Sequence, residues 1–175
     1  MNKLLFLLLL LNISKIYAQD SPYKSYKLAD GQLLYEQVYT CDTMKSDQIG
    51  KMLSTEIPKI KGLTDFRKES EVITGRLKNA MIDYRKFGGK WSNTPILLNN
   101  PFDANVTIEW KDGKYRVTLS NIIFHSAGFG ETELGRTLTR KKGTDWDLRP
   151  GAKQIGDYTE QYYTNLFSVK NNSNW

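Results

Sequence analysis

Residues 105–124 read NVTIEWKDGKYRVTLSNIIF, and their reading decides the fold. Asp112-Gly113 sits at the centre, and Asp-Gly is a favoured pair for a two-residue type I′ hairpin turn. Such a turn sets Lys111 opposite Lys114. Trp110 then faces Tyr115, Ile108 faces Val117 and Val106 faces Leu119. Side chains alternate between the two faces of a strand, so these six lie together on one side. The other side pairs Glu109 with Arg116 and Thr107 with Thr118, combinations suited to a solvated face. A slip of one residue would turn Trp110 and Ile108 into water, so the pattern specifies both register and a sheet with one apolar face.

An apolar sheet face must be covered. Ile49, Met52, Leu53, Ile57 and Ile60 recur at steps of three and four, which predicts a helix over 44–60. Asp42, Thr43 or Ser46 would cap its start. Pro58 lacks the backbone N–H and ends or kinks it near Ile57, and Gly62 suits the exit. Ile155, Tyr158, Tyr162, Leu166 and Val169 mark a second helix over 152–169, with Tyr163 and Phe167 beside that face. Further strands are expected at 32–41, 64–69 and roughly 72–85. Gly75 in the last permits a bulge or the close approach of a helix. The order is strand, helix, four strands, helix: an α+β domain whose antiparallel sheet carries both helices on one face. It spans 32–169, with insertions at 86–103 and 126–150. Residues 19–31 read as a mobile lead-in and 170–175 as a frayed tail.

The N-terminus speaks to compartment. Lys3, the apolar run Leu4 to Leu11 and Ile16-Tyr17-Ala18 before Gln19 form a cleavable secretory signal over 1–18. A membrane span needs about 20 apolar residues; this run is less than half that, and no later segment qualifies. The net charge of the 175-residue chain is +6. Two of its lysines sit in the leader, so the mature part is only mildly basic. That falls short of a dedicated nucleic-acid binder. Cys41 is the single cysteine, which excludes an internal disulfide; it reads as a small apolar filler in a strand.

Four segments carry a resemblance: the leader ending before Gln19, YEQVYTCDTMKSDQIGKML at 35–53, EVITGRL at 71–77 and VTIEWKDGKYRVTLSNIIF at 106–124. Together they resemble the exported Bacteroidota proteins grouped as domain of unknown function 4468, described as TBP-like. The strand ending in Lys-Asp-Gly-Lys-Tyr-Arg is the most specific part, and the match covers roughly 34–124. The resemblance implies a TBP-like β-α-β4-α fold and a place in the periplasm or envelope of a Gram-negative bacterium. It brings no catalytic or binding residues, and a TBP-like fold does not imply DNA binding. The 86–103 insertion departs from the compact pattern.

Chemistry is sparse. His125 is the only histidine, and its neighbour Ser126 would point to the opposite face of a strand; it reads as a strand-end residue at the sheet rim. One His and one Cys do not make a zinc site, so no metal is expected. Glu131 with Glu133 and Asp145 with Asp147 are acidic pairs of the kind that cleave glycosides or hold Ca²⁺, yet loop solvation explains them. Gly128-Phe129-Gly130 lacks the third glycine of a dinucleotide loop, since Glu133 stands there; no cofactor is expected. The most suggestive run is Tyr84-Arg85-Lys86-Phe87-Gly88-Gly89-Lys90-Trp91. Arg85, Lys86, Phe87, Lys90 and Trp91 would grip an anionic or sugar-like partner by charge and stacking. The plainer alternative has Phe87 and Trp91 tucked against the domain. Arg140-Lys141-Lys142, with Arg136 near, is a second cationic run, read as a solvated loop or a point of attraction to anionic lipid or glycolipid. Asp42-Thr43-Met44 matches a short O-glycosylation acceptor pattern at Thr43, or simply caps a helix. The expected function is a non-catalytic envelope module that binds another protein or an anionic envelope component, with self-association through an uncovered sheet edge as a variant. The alternative is a hydrolase of glycans or esters built on the acidic pairs or His125.

Overall fold

A computed structural model describes residues 21–126, 128 and 130–169. The leader at 1–18 and the tail at 170–175 lie outside the described residues. The strands are β1 (Tyr26–Ala29), β2 (Gln32–Thr40), β3 (Leu63–Glu69), β4 (Val72–Ala80), β5 (Phe102–Lys111), β6 (Lys114–Ser126), β7 (Gly130–Glu133), β8 (Thr139–Arg140) and β9 (Asp145–Trp146). The helices are α1 (Ser46–Glu56), α2 (Leu134–Leu138) and α3 (Pro150–Leu166). One antiparallel sheet runs β1-β2-β6-β5-β4-β3, and β7 pairs with the far end of β6; β8 and β9 form a separate pair.

The central hairpin has the expected register, from Lys111 opposite Lys114 through Trp110–Tyr115, Ile108–Val117 and Val106–Leu119. Ile108, Val117 and Leu119 are fully buried and Trp110 nearly so. Its turn differs in form. Gly113 has φ 77° but Asp112 is not left-handed, whereas type I′ requires both. The turn is shaped by tertiary bonds. Asp112 Oδ1 accepts from the Ser46 N–H at 2.7 Å, and the Gly113 N–H donates to Met44 O at 2.9 Å. The side-chain caps of α1 thus come from Asp112, 66 positions from Ser46, and from Gln48, whose Oε1 accepts from the Lys45 N–H at 2.9 Å, and not from Asp42, Thr43 or Ser46.

The lead-in is the main departure. Within 19–31, Tyr26–Ala29 is a strand, and Tyr23 and Tyr26 are buried. Asp30 (φ 51°) and Gly31 (φ 74°) are both left-handed, so the two-residue hairpin turn of I′ type lies here. One pair out from the turn, Leu28 faces Leu33 here just as Trp110 faces Tyr115 beside Asp112-Gly113. The strand expected over 72–85 stops at Ala80: Asn79 adopts φ 51° and the β4–β5 register shifts between Leu77 and Ala80. Gly75 pairs regularly with Val106 of β5, but the β3 register shifts between Thr64 and Arg67 directly opposite it, so it faces a bulge as expected; the close approach is by the Leu63 side chain and not by a helix. The 126–150 insertion is structured, holding β7, α2, β8 and β9.

Both long helices cover the face that carries Trp110 and Tyr115. α1 buries Ile49 and Leu53 and gives way at Ile57 to a 3₁₀ turn containing Pro58; each such side chain contributes about 1.5–3 kcal/mol. α3 buries Ala152, Ile155 and Tyr163 in the core and is tied in addition by tyrosine hydroxyls from the strands and the segment before β1. Tyr23 Oη donates to Ala152 O, Tyr26 Oη to Thr159 Oγ1 at 2.6 Å, Tyr39 Oη to Thr164 O, and Tyr115 Oη to Phe167 O at 2.8 Å. Among the described residues no helix is long and apolar enough to cross a membrane.

Candidate functional site

The β4–β5 connection is built of three 3₁₀ turns, Tyr84–Phe87, Trp91–Asn93 and Ile96–Asn99. It is pinned at several points. Tyr84 is buried, and its hydroxyl donates to Asn99 Oδ1 at 2.7 Å, closing the loop across its base. Gln154 of α3 donates from Nε2 to Asn93 O at 3.0 Å, and Thr94 Oγ1 to Lys90 O at 2.8 Å. Gly88 takes φ 83°, and Gly89 is wedged where an added Cβ would lie 2.9 Å from Tyr84 O and 3.1 Å from the Tyr158 hydroxyl. Gly88 serves the turn by its left-handed backbone and Gly89 by close approach to Tyr84 and Tyr158.

The five candidate side chains part company on this frame. Phe87 is half-buried, as the plainer alternative expected. Trp91 is 73% exposed, and Ile96, on the next turn, is 71% exposed. Arg85, Lys86 and Lys90 are exposed. Lys86 pairs with Asp83 at 3.4 Å, while among the described residues Arg85 and Lys90 have no ion pair. Ile96 was not legible as a surface residue, because Ile96-Leu97-Leu98 is an apolar run and Leu98 is fully buried.

His125 and the two acidic pairs all have oppositely charged or titratable neighbours. His125 lies between Asp103 (Nε2 to Oδ1, 3.4 Å) and Glu131 (Nδ1 to Oε1, 3.5 Å) at the end of β6. Burial pushes the Asp103 carboxyl up, but the Asn79 N–H, His125 and Arg76 together outweigh it and hold the group below the usual carboxylate range. Glu133 pairs with Arg136 at 3.2 Å, and Asp145 with Lys141 at 2.6 Å. Asp147 is 1% exposed and is shared by Arg140 and Arg149; hydrogen bonding from Arg149 outweighs desolvation and keeps its carboxyl far below the ordinary value. Cys41 is half-buried, and burial, then the charge of Asp42, raises its thiol pKa, away from a reactive thiolate. Among the described residues no group of three or more His, Cys, Asp or Glu side chains is placed to hold a metal ion.

Two solved structures share this architecture. A DUF4468 family protein from Bacteroides ovatus ATCC 8483 matches with a TM-score of 0.54 at 14% identity, over 82% of this chain and 86% of its own. A TBP-like protein from Parabacteroides distasonis ATCC 8503 matches with a TM-score of 0.57 at 13% identity, over 80% of this chain and 90% of its own. No family model matches the chain, and no curated protein is similar to it. Likeness at such identity carries fold and no residue roles. The resemblance read between residues 34 and 124 therefore holds at the level of architecture: the chain has a TBP-like α+β fold, and its solved neighbours include a DUF4468 family protein.

Proposed function

We propose that the mature chain is a non-catalytic module of the Gram-negative envelope that binds another protein or an anionic envelope component through the 84–100 connection. The observation that carries this is the exposure of Trp91 on a turn anchored at both ends. A large aromatic costs free energy when held in water, and a rigid, anchored aromatic loses little entropy on binding. Lys90 precedes it in the chain and Arg85 lies on the preceding turn, both exposed and, among the described residues, without ion pairs, so the same connection carries a stacking surface and two cations. The envelope location rests on the leader at 1–18 and its resemblance. The hydrolase reading has weaker support, since Asp147 is locked between two guanidiniums and Glu133 is paired with Arg136.

The test is retention of the mature domain on envelope fractions beside an Arg85→Ala, Lys90→Ala, Trp91→Ala triple variant. All three side chains are exposed, so the fold is expected to survive. Retention should fall at least about tenfold, the scale of a lost aromatic anchor. Equal retention of both proteins removes the loop from consideration.

A further inference from the structure

A cleft of about 620 Å³ opens where three segments meet: the β1–β2 turn with Leu28, Gly31 and Leu33, the Asn121–Ile123 part of β6, and the run from Glu133 to Gly143. None of its lining residues belongs to the 84–100 connection. Its volume lies within the range of ordinary small-molecule sites. Its walls approach closely: an added Cβ at Gly143 (φ 91°) would lie 2.9 Å from the Gly31 backbone oxygen, and one at Gly135 would lie 3.3 Å from the Leu33 side chain. Asn121 is left-handed (φ 50°), so the β6 backbone kinks where it borders the cleft.

The lining is divided by chemistry. Leu28 is half-buried and supplies the open apolar part, with the nearly closed Leu33 and Ile122 behind it. Arg136, Arg140 and Lys141 supply cations that stay 80%, 52% and 78% exposed despite their partners. Glu133 pairs with Arg136 and Asp145 with Lys141, while Arg140 and Arg149 share the carboxylate of Asp147. Two guanidiniums on one carboxylate leave a positive charge over, and Arg140 carries it to the cleft. A cationic rim above an apolar floor is complementary to an anion with a hydrophobic part.

We propose that this cleft binds a small amphipathic anion, its carboxylate or phosphate head against Arg136, Arg140 and Lys141 and its apolar portion over the half-buried Leu28. The head can come from a fatty carboxylate or from an alkyl phosphate, and the two are told apart directly. Calorimetric titration of the mature domain with decanoate and with decyl phosphate, below micelle-forming concentrations, is the measurement. Binding of either anion is expected, stronger for the one whose head the site selects, with decanol and inorganic phosphate each at least about tenfold weaker. An Arg136→Gln, Lys141→Gln double variant should weaken the anion at least about tenfold. Arg140 is left in place because it holds the buried Asp147. The Trp91→Ala variant should bind the anion unchanged, which separates this cleft from the 84–100 connection. Decanol or inorganic phosphate binding as tightly as the anion, an unaffected double variant, or no binding of either anion overturns the proposal.

Discussion

Tyr163 carries a buried hydroxyl that finds no hydrogen-bond partner among the described residues. Its ring is well used, at 5.3 Å from Tyr35 and 5.5 Å from Phe102 in edge-to-face contacts. Tyr26 is equally buried, but its hydroxyl meets Thr159 at 2.6 Å. An unpaired buried hydroxyl costs free energy, whereas losing a paired one removes a net stabilising bond. The two Tyr→Phe substitutions should therefore differ in sign. Tyr163→Phe is expected to leave stability unchanged or raise it by up to about 1 kcal/mol, and Tyr26→Phe to lower it by about 1 kcal/mol. Urea denaturation of both variants decides; a loss at Tyr163 equal to that at Tyr26 contradicts the assignment. At this scale the sequence was readable wherever a residue's role follows from alternation, as for Trp110, Ile108 and Val117. It was not readable where a role depends on a partner far along the chain. Asp112 looked like a turn residue, and it is also a cap of α1.

Periodicity found α1 and α3, because a helix that covers a sheet must carry an apolar stripe. How α3 is fastened did not show, because the tyrosines that hold it come from positions 23, 26, 35, 39 and 115. Two buried glycines reveal how close the helices come. An added Cβ at Gly50 of α1 would meet the Trp110 indole at about 3.0–3.1 Å. One at Gly156 of α3 would overlap the Tyr23 ring outright. In an isolated helix Gly→Ala is worth up to about 1 kcal/mol in favour of the helix. At Gly156 the steric term should win. Tyr23 is 5% exposed and packed edge-on against Tyr26 and Trp146, so it has nowhere to retreat without losing those contacts and its bond to Ala152. Gly156→Ala is expected to destabilise by about 1–3 kcal/mol, the cost of overpacking. A Tyr23→Ala background should remove most of that penalty, since nothing is then left to displace; an undiminished penalty in thermal or urea melts rules out this contact as the cause. The same element explains the missed strand. β1 is four residues long, and it is ordered because Tyr23 and Tyr26 reach α3 on one side while its partner β2 is already in the sheet. At the opposite edge, β3 carries Arg67, Lys68 and Glu69 and a register shift at the left-handed Asp65, features that blunt strand-to-strand pairing.

At the scale of the whole molecule, a core held together by tyrosines has a consequence for pH. Burial, the largest cause in each case, raises the pKa of Tyr23 and Tyr115 to about 12. It also raises those of Tyr35 and Tyr162, and it puts Tyr26, Tyr39 and Tyr163 well above the ordinary value. In the unfolded chain these groups ionise near 10. Between about 10 and 12 the native state therefore holds more protons than the unfolded one, and stability falls as pH rises. The contribution is complete below about pH 10 and is lost progressively as pH climbs through the folded values. At the acid end the sign reverses. Asp147 and Asp103 have lowered pKa values, so their contributions are present above the ordinary carboxylate pKa and fade as pH drops through the folded ones. The alkaline limb should dominate, because many tyrosines share one core and ionising any of them within it is resisted. Urea melts from pH 8 to 12, read alongside tyrosinate absorbance, should show the unfolding midpoint dropping from about pH 10 and most of the tyrosine ionisation arriving together with unfolding. Tyrosines that titrate near 10 while the domain stays folded would mean that the hydroxyls anchoring α3 lie in water, and the packing of helix on sheet would have to be redrawn.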